Sequence, residues 1–167
     1  MAASVQINES NGSGQTITAN ISNTNMGSTD AANLDPVANP VVPGQNTYEK
    51  WQRIYLAALN GSSAIENLKI WRTGALGGSA VHKTNAVTSS YTAATYATPT
   101  ASVSTVATNT MPTSAPASAN LGINGSLTGS ITTTTGYSDY LVHQIQSNAS
   151  DTAGSTSTIN YQYDEVA

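Results

Sequence analysis

Apolar and polar residues alternate in several short stretches separated by turn residues, and no long stretch repeats at the helical period. Residues 15–23 place Ile17, Ala19 and Ile21 against Thr16, Thr18 and Asn20, the period-two pattern of a half-buried strand. Residues 48–59 fit two patterns. Trp51, Ile54, Tyr55, Ala58 and Leu59 would form a helical stripe, whereas Ile54 and Leu56 opposite Trp51, Arg53 and Tyr55 would form a strand. The polar turn Asn60-Gly61-Ser62-Ser63 and a second alternating stretch at 65–72 follow at once, which selects the strand. Residues 80–97 read as one or two Thr- and Tyr-rich strands, 140–146 as a strand, and 158–164 as another, with Ile159, Tyr161 and Tyr163 against Asn160, Gln162 and Asp164. The last two, joined by a polar loop at 147–155, predict a β-hairpin.

Between these elements the chain is punctuated by breakers. Asn11-Gly12 with Gly14, the stretch 73–78 and Asn124-Gly125 mark turns. Pro36, Pro40 and Pro43 forbid a helix or a central strand in the loop that holds them. Residues 99–120, with Pro99, Pro112 and Pro116 among Ser, Thr and Ala, read as a long surface loop or an edge that meets a partner. Short strands, frequent turns and no helix predict an all-β chain, a β-sandwich of jelly-roll or immunoglobulin-like type. The division expected is an irregular N-terminal arm over 1–45, with one strand and a proline-rich loop, and a sandwich domain over 46–167.

Composition sharpens this reading. Of 167 residues only 8% are charged, against about 25% in ordinary soluble domains, and the net charge is −4. Disorder usually comes with high net charge, whereas a Thr-rich, charge-poor chain suits half-exposed pleated surfaces. There is no cysteine, which excludes disulfides, thiolate metal sites and a cysteine nucleophile. There is also no Phe, so Trp51, Trp71, Tyr161 and the aliphatics are the expected core. That is a thin core, which burial against neighbouring subunits would supplement. The N-terminus lacks a basic, apolar leader pattern and no stretch has the length of a membrane span. Synthesis in a bacterial cytoplasm and no membrane partner are the expectation.

The five basic residues, Lys50, Arg53, Lys69, Arg72 and Lys83, lie in one stretch, with most acids outside it. That is too sparse for a nucleic-acid interface, but it allows oppositely charged contacts between neighbouring copies. Catalytic patterns are missing. His82 and His143 have no further ligand at a metal-binding spacing, and no nucleophile elbow or phosphate loop occurs. Asp164-Glu165 reads as a solvated end. Asp30 and Asp35 lack the glycine-anchored spacing of a calcium loop. The expected protein is therefore not an enzyme and carries no cofactor or metal. Tyr48, Tyr55, Trp51 and Trp71 would line a sugar-binding face if exposed; as the largest side chains available, they are expected in the core.

Three stretches resemble segments of small virion proteins of tailed bacteriophages: residues 25–34 leading to 39–44, residues 48–53 with 65–71, and residues 137–140 with 158–165. The resemblance covers less than half the chain. It implies a β-sandwich structural protein of the capsid-decorating, or cement, type, at the capsid surface of a virion. Its partners would be the major capsid protein and copies of itself, with trimers the arrangement expected. Asp35, Pro36, Pro40 and Pro43, with the N-terminal arm, are the candidate interface. A tail, neck or head-fibre component is the nearest alternative, and a carbohydrate-binding or adhesin module the alternative from another class.

Overall fold

The computed structural model describes residues 2–88, 91, 106–152 and 154–167. Among these residues there is no helix, and the chain forms two antiparallel sheets packed face to face as a β-sandwich. The strands are β1 (Ser4–Asn11), β2 (Thr16–Thr18), β3 (Lys50–Ala58), β4 (Ala64–Thr73), β5 (Val81–Val87), β6 (Asn109–Thr110), β7 (Ser130–Ile131), β8 (Tyr140–Gln146) and β9 (Thr158–Val166). The larger sheet runs β2-β1-β3-β8-β5-β6 and the smaller β7-β4-β9.

The ambiguous stretch at 48–59 is a strand, and its burial explains the ambiguity. β3 lies between β1 and β8, so Lys50, Trp51, Gln52, Ile54 and Leu56 are all buried and no exposed face marks the period of two. β8 is likewise buried from Tyr140 to Ile145 and pairs with β3 and β5. The hairpin expected between 140–146 and 158–164 therefore does not form. β9 pairs with β4 in the other sheet, and the loop between β8 and β9 carries the chain across the sandwich.

Residues 1–45, read as an arm with one strand, supply two. β1 pairs with β3 from Ser4↔Ala58 to Ser10↔Trp51, and β2 folds back on β1. β2 is shorter than the strand expected at 15–23, because Asn20 turns the backbone left-handed (φ 51°). Ile17 faces solvent. In β4 a bulge between Glu66 and Lys69, with Asn67 at φ 54°, turns Leu68 into the core. The strands expected over 80–97 are met by β5. The rest of that stretch and the early part of the 99–120 loop fall mostly on residues 89–90 and 92–105, outside the described residues.

The space between the sheets is aliphatic at one end. Ile54, Leu56 and Leu141 of the larger sheet meet Ile65, Leu68, Ile70 and Ile131 of the smaller, with Met111, Leu121 and Ile123 closing the side. Trp51 is buried as expected (3% exposed), but outside this interior. It sits on the outer face of the larger sheet in a separate cluster with Tyr140, Val142 and Ala107, edge-to-face with Tyr140 and Tyr91 at 5.4 Å each. Trp71 departs from the expectation. It projects from the outer face of the smaller sheet and is only half-buried. Tyr161 is half-buried and packs against the aliphatic core.

The two tryptophans should therefore differ in unfolding experiments. Trp51→Ala empties a closed cluster and is expected to cost about 3–5 kcal/mol. Trp71→Ala removes a half-exposed side chain and is expected to cost about 1–2 kcal/mol. Urea denaturation of the two variants measures the difference, and equal losses would contradict the placement of either residue.

Candidate functional site

Two features concentrate the polar chemistry of the chain: a buried network at the end of the sandwich opposite the aliphatic core, and the ordered proline loop beside it. The network follows from strand register. Glu9 of β1 lies opposite Gln52 of β3, and Lys50 lies opposite His143 of β8, which in turn lies opposite Thr84 of β5. His82, two residues before Thr84, joins them from β5. All six are buried, where a shorter or apolar core residue would ordinarily stand.

Gln52 connects the group. Its Nε2 donates to Glu9 Oε2 at 2.8 Å and to Thr24 Oγ1, and its Oε1 accepts from His143 Nε2 at 3.1 Å and from the Tyr161 hydroxyl. Glu9 is a carboxylate that only accepts, so the Gln52 amide has one possible orientation. That orientation fixes the tautomers next to it. His143 must carry its proton on Nε2, so its Nδ1 accepts from His82 Nε2 at 3.1 Å. Lys50 Nζ pairs with the other Glu9 oxygen at 3.4 Å and donates to the Ala31 carbonyl. Burial raises the Tyr161 hydroxyl above its usual range, with a smaller contribution from the Glu9 charge, so it remains a donor at neutral pH.

The histidines are held neutral. Burial, then the Arg72 charge, lowers His82 from 6.5 to about 4, and burial, then His82 itself, lowers His143 well below its usual value. A buried ion pair, a directed amide and two neutral imidazoles form one buried assembly, and Thr24, which accepts from Gln52, also lines the cleft beside the proline loop. No cluster of three or more metal-ligating side chains occurs among the described residues. Sequence reasoning missed the assembly, because its members sit at core positions where polar residues give no periodic signal. Lys50 and Glu9, read as charges free for contacts between copies, pair with each other inside the fold.

The other acids of the first third are also engaged. Asp30 accepts from Asn11 Nδ2 at 3.0 Å and from the Gly12 amide at 2.7 Å. Asp35 accepts from the Val37 amide at 2.8 Å while remaining exposed. Asp35, Pro36, Pro40 and Pro43 all lie on the surface, in one loop. Its backbone is fixed. Asn39 N–H bonds to the Asp35 carbonyl at 2.9 Å, Asn25 Nδ2 to the Leu34 carbonyl at 2.8 Å, and Ser147 Oγ to the carbonyls of Val42 and Gln45. Leu34 anchors the loop from below. At Gly27 a Cβ would stand 2.1 Å from the Asn39 carbonyl oxygen, so only glycine permits this approach. On the finished loop Val37 is 88% exposed, with Val42 also in solvent. Pro36, Pro40 and Pro43 border a cleft of about 230 Å³ whose far wall is formed by Leu76, Ala80 and residues 154–157.

The four aromatics considered as a sugar platform do not share a face. Trp51 is covered on one sheet, Trp71 lies on the other, and Tyr55 packs against Tyr137 at 4.9 Å. No family model, curated protein or solved structure matches the chain.

The histidine pair sets a pH dependence. The folded state holds His82 neutral down to about pH 4, while the unfolded chain takes up the proton near 6.5. Between those values the unfolded state binds more protons, so stability is complete above pH 6.5 and falls as pH drops toward 4, by on the order of 3 kcal/mol from His82 alone. Denaturant titrations at stepped pH measure this. His82→Gln, which keeps a donor where Nε2 stood, is expected to flatten the slope in that window. An unchanged slope would show that the histidines do not cause it.

Proposed function

We propose that the protein is a non-enzymatic virion structural protein of a tailed bacteriophage, of the capsid-decorating type, which attaches to the major capsid protein through the loop that carries residues 35–43. The observation that supports this most is the fixed loop with its exposed apolar crest. Pro36, Val37, Pro40, Val42 and Pro43 stand on a backbone already held by hydrogen bonds and by Leu34. Apolar side chains on a pre-ordered loop bind with little further loss of conformational entropy. Scattered exposed valines are ordinary on protein surfaces, but here two stand among three prolines in one loop. On a capsid lattice many such modest contacts act together, and retention on the particle far exceeds the strength of one contact.

The mechanism is mechanical. The loop buries its crest against capsid subunits, and the sandwich behind it bridges neighbouring subunits. The charge-poor surface adds little salt-dependent attraction, so apolar burial and shape are the main contributions to attachment.

Deleting residues 1–45 would remove β1 from the larger sheet, so the test uses substitutions on the loop. Undecorated capsids of the parent phage are mixed with the protein and sedimented. Val37→Asp with Val42→Asp is expected to leave the fold intact and weaken co-sedimentation roughly tenfold or more. Failure of the wild-type protein to bind capsids would overturn the proposal, and undiminished binding of the double variant would overturn the choice of loop.

A further inference from the structure

The sandwich treats its sheet edges unequally. The larger sheet ends in β2, three residues long, and β6, two residues long. The smaller sheet ends on one side in β7, two residues long. Beyond β7, that side of β4 is covered by other parts of the chain. The Asn120 side chain bonds to both the N–H (2.8 Å) and the carbonyl (2.9 Å) of Ile70, the Pro112 carbonyl accepts from Arg72 N–H, and Leu68 accepts from the amides of Asn120 and Leu121. The opposite edge is β9, nine residues long, and among the described residues it pairs with β4 alone.

The same hydrogen bonds show which peptide groups β9 leaves free. Ile70 and Arg72 direct backbone groups away from β9, so their register partners Tyr161 and Ile159 occupy non-hydrogen-bonded positions of the β4–β9 ladder. By alternation Tyr163 does too. The N–H and C=O groups of Ile159, Tyr161 and Tyr163 therefore point out of the sheet. Among the described residues no backbone hydrogen bond reaches them from elsewhere in the chain.

Proline and lysine, two of the usual guards of a free edge, are missing from β9. Residues 158–163 contain no proline, lysine or other charge. Asp164 and Glu165 bond back to their own chain, Asp164 to Asn67 Nδ2 at 3.0 Å and Glu165 to the Ala3 amide at 2.9 Å and Ser62 Oγ at 2.7 Å.

We propose that the outer edge of β9 is a self-association site, where the β9 strands of two copies pair antiparallel about a two-fold axis and join the two smaller sheets into one. The edge selects this partner. A two-fold contact needs one self-complementary surface, and the free groups at 159, 161 and 163 are symmetric about Tyr161. With the axis there, Tyr161 meets Tyr161 of the second copy and Ile159 meets Tyr163. Antiparallel order also sets Asp164 opposite Thr158, so the acidic ends of the two strands lie apart, whereas parallel pairing would stack them. A cyclic trimer needs two different matching edges, and the other edges are only two or three residues long. The inference does not depend on what the particle-binding loop attaches to, and it replaces the threefold arrangement that the phage resemblance implies.

Sedimentation velocity of the full chain over a range of concentrations provides the test. A dimer that gains population with concentration is expected. Ile159→Pro removes one outward N–H without removing a bond to β4, and is expected to shift the chain to monomer while circular dichroism keeps its β-sheet form. Amide exchange by nuclear magnetic resonance gives an independent reading, in which the amides of Ile159, Tyr161 and Tyr163 become protected as concentration rises. A wild-type chain that stays monomeric or forms trimers would overturn the proposal. So would an intact Ile159→Pro chain that still dimerises, or, should that variant unfold, outward amides whose exchange ignores concentration.

Discussion

Gln52 stands on a central strand and turns its amide into the gap between the sheets, where it meets Glu9 of β1, His143 of β8, Tyr161 of β9 and Thr24 of the loop that follows β2. One side chain thus ties the N-terminal hairpin, the middle of the larger sheet and the edge of the smaller one. Without phenylalanine the chain fills one end of its interior with aliphatics and the other with this polar assembly. Such an arrangement is stable to the extent that its members are bonded, because an unpaired polar group in a closed interior loses its hydration and gains nothing in return. Four members are satisfied at least twice: Glu9 by Lys50 and Gln52, Lys50 by Glu9 and the Ala31 carbonyl, Gln52 by four partners, and His143 through both nitrogens, whereas His82 Nδ1 and Thr84 Oγ1 have no hydrogen-bond partner among the described residues.

The same assembly decides what the sequence could reveal. Strands at 65–72, 140–146 and 158–164 were legible because at least one face alternates or both are apolar. β1 was not, since only Val5 and Ile7 are apolar and the inward position that follows is Glu9. Its burial depends on Gln52 and Lys50, more than forty positions away, and no local pattern carries that information. The sheet assignment of β9 was hidden for a related reason. Two alternating stretches joined by a polar loop look like a hairpin, but β8 is already enclosed by β3 and β5 and has no free edge to offer. Trp51 was correctly placed in the interior of the protein, yet in a cluster on the outer face of the larger sheet. Trp71 sits where only half of it is covered. Of the candidate site, the proline loop was legible from its three prolines, and all four residues singled out there are on the surface. The histidine pair was not legible, because His82 and His143 are sixty-one positions apart and meet only through register.

Drawing charges inward has a consequence for the surface. Glu9, Glu49 and Lys50 are buried, and Asp30, Asp164 and Glu165 bond to their own chain. What remains outside is dominated by Ser, Thr, Asn and the proline–valine loop, a surface suited to broad contacts of low charge rather than to long-range steering. An uncharged free edge and an apolar loop crest are compatible with a protein that works by lying against others, and the proposed attachment and self-pairing use separate parts of the molecule. The loop is pinned by residues that flank β8, whereas the free edge belongs to the other sheet.

The central claim is that the polar end of the interior stabilises the fold through Gln52. Replacing Gln52 by Leu keeps the volume and adds apolar surface, but strips partners from Glu9, His143 and Tyr161 at once. Each stranded buried group costs roughly 1–3 kcal/mol, so urea denaturation at neutral pH should show a loss of about 3–5 kcal/mol, within the range for breaking a buried network. A Gln52→Leu protein as stable as the wild type, or more stable, would contradict the account, since the network would then be tolerated by the fold rather than holding it together.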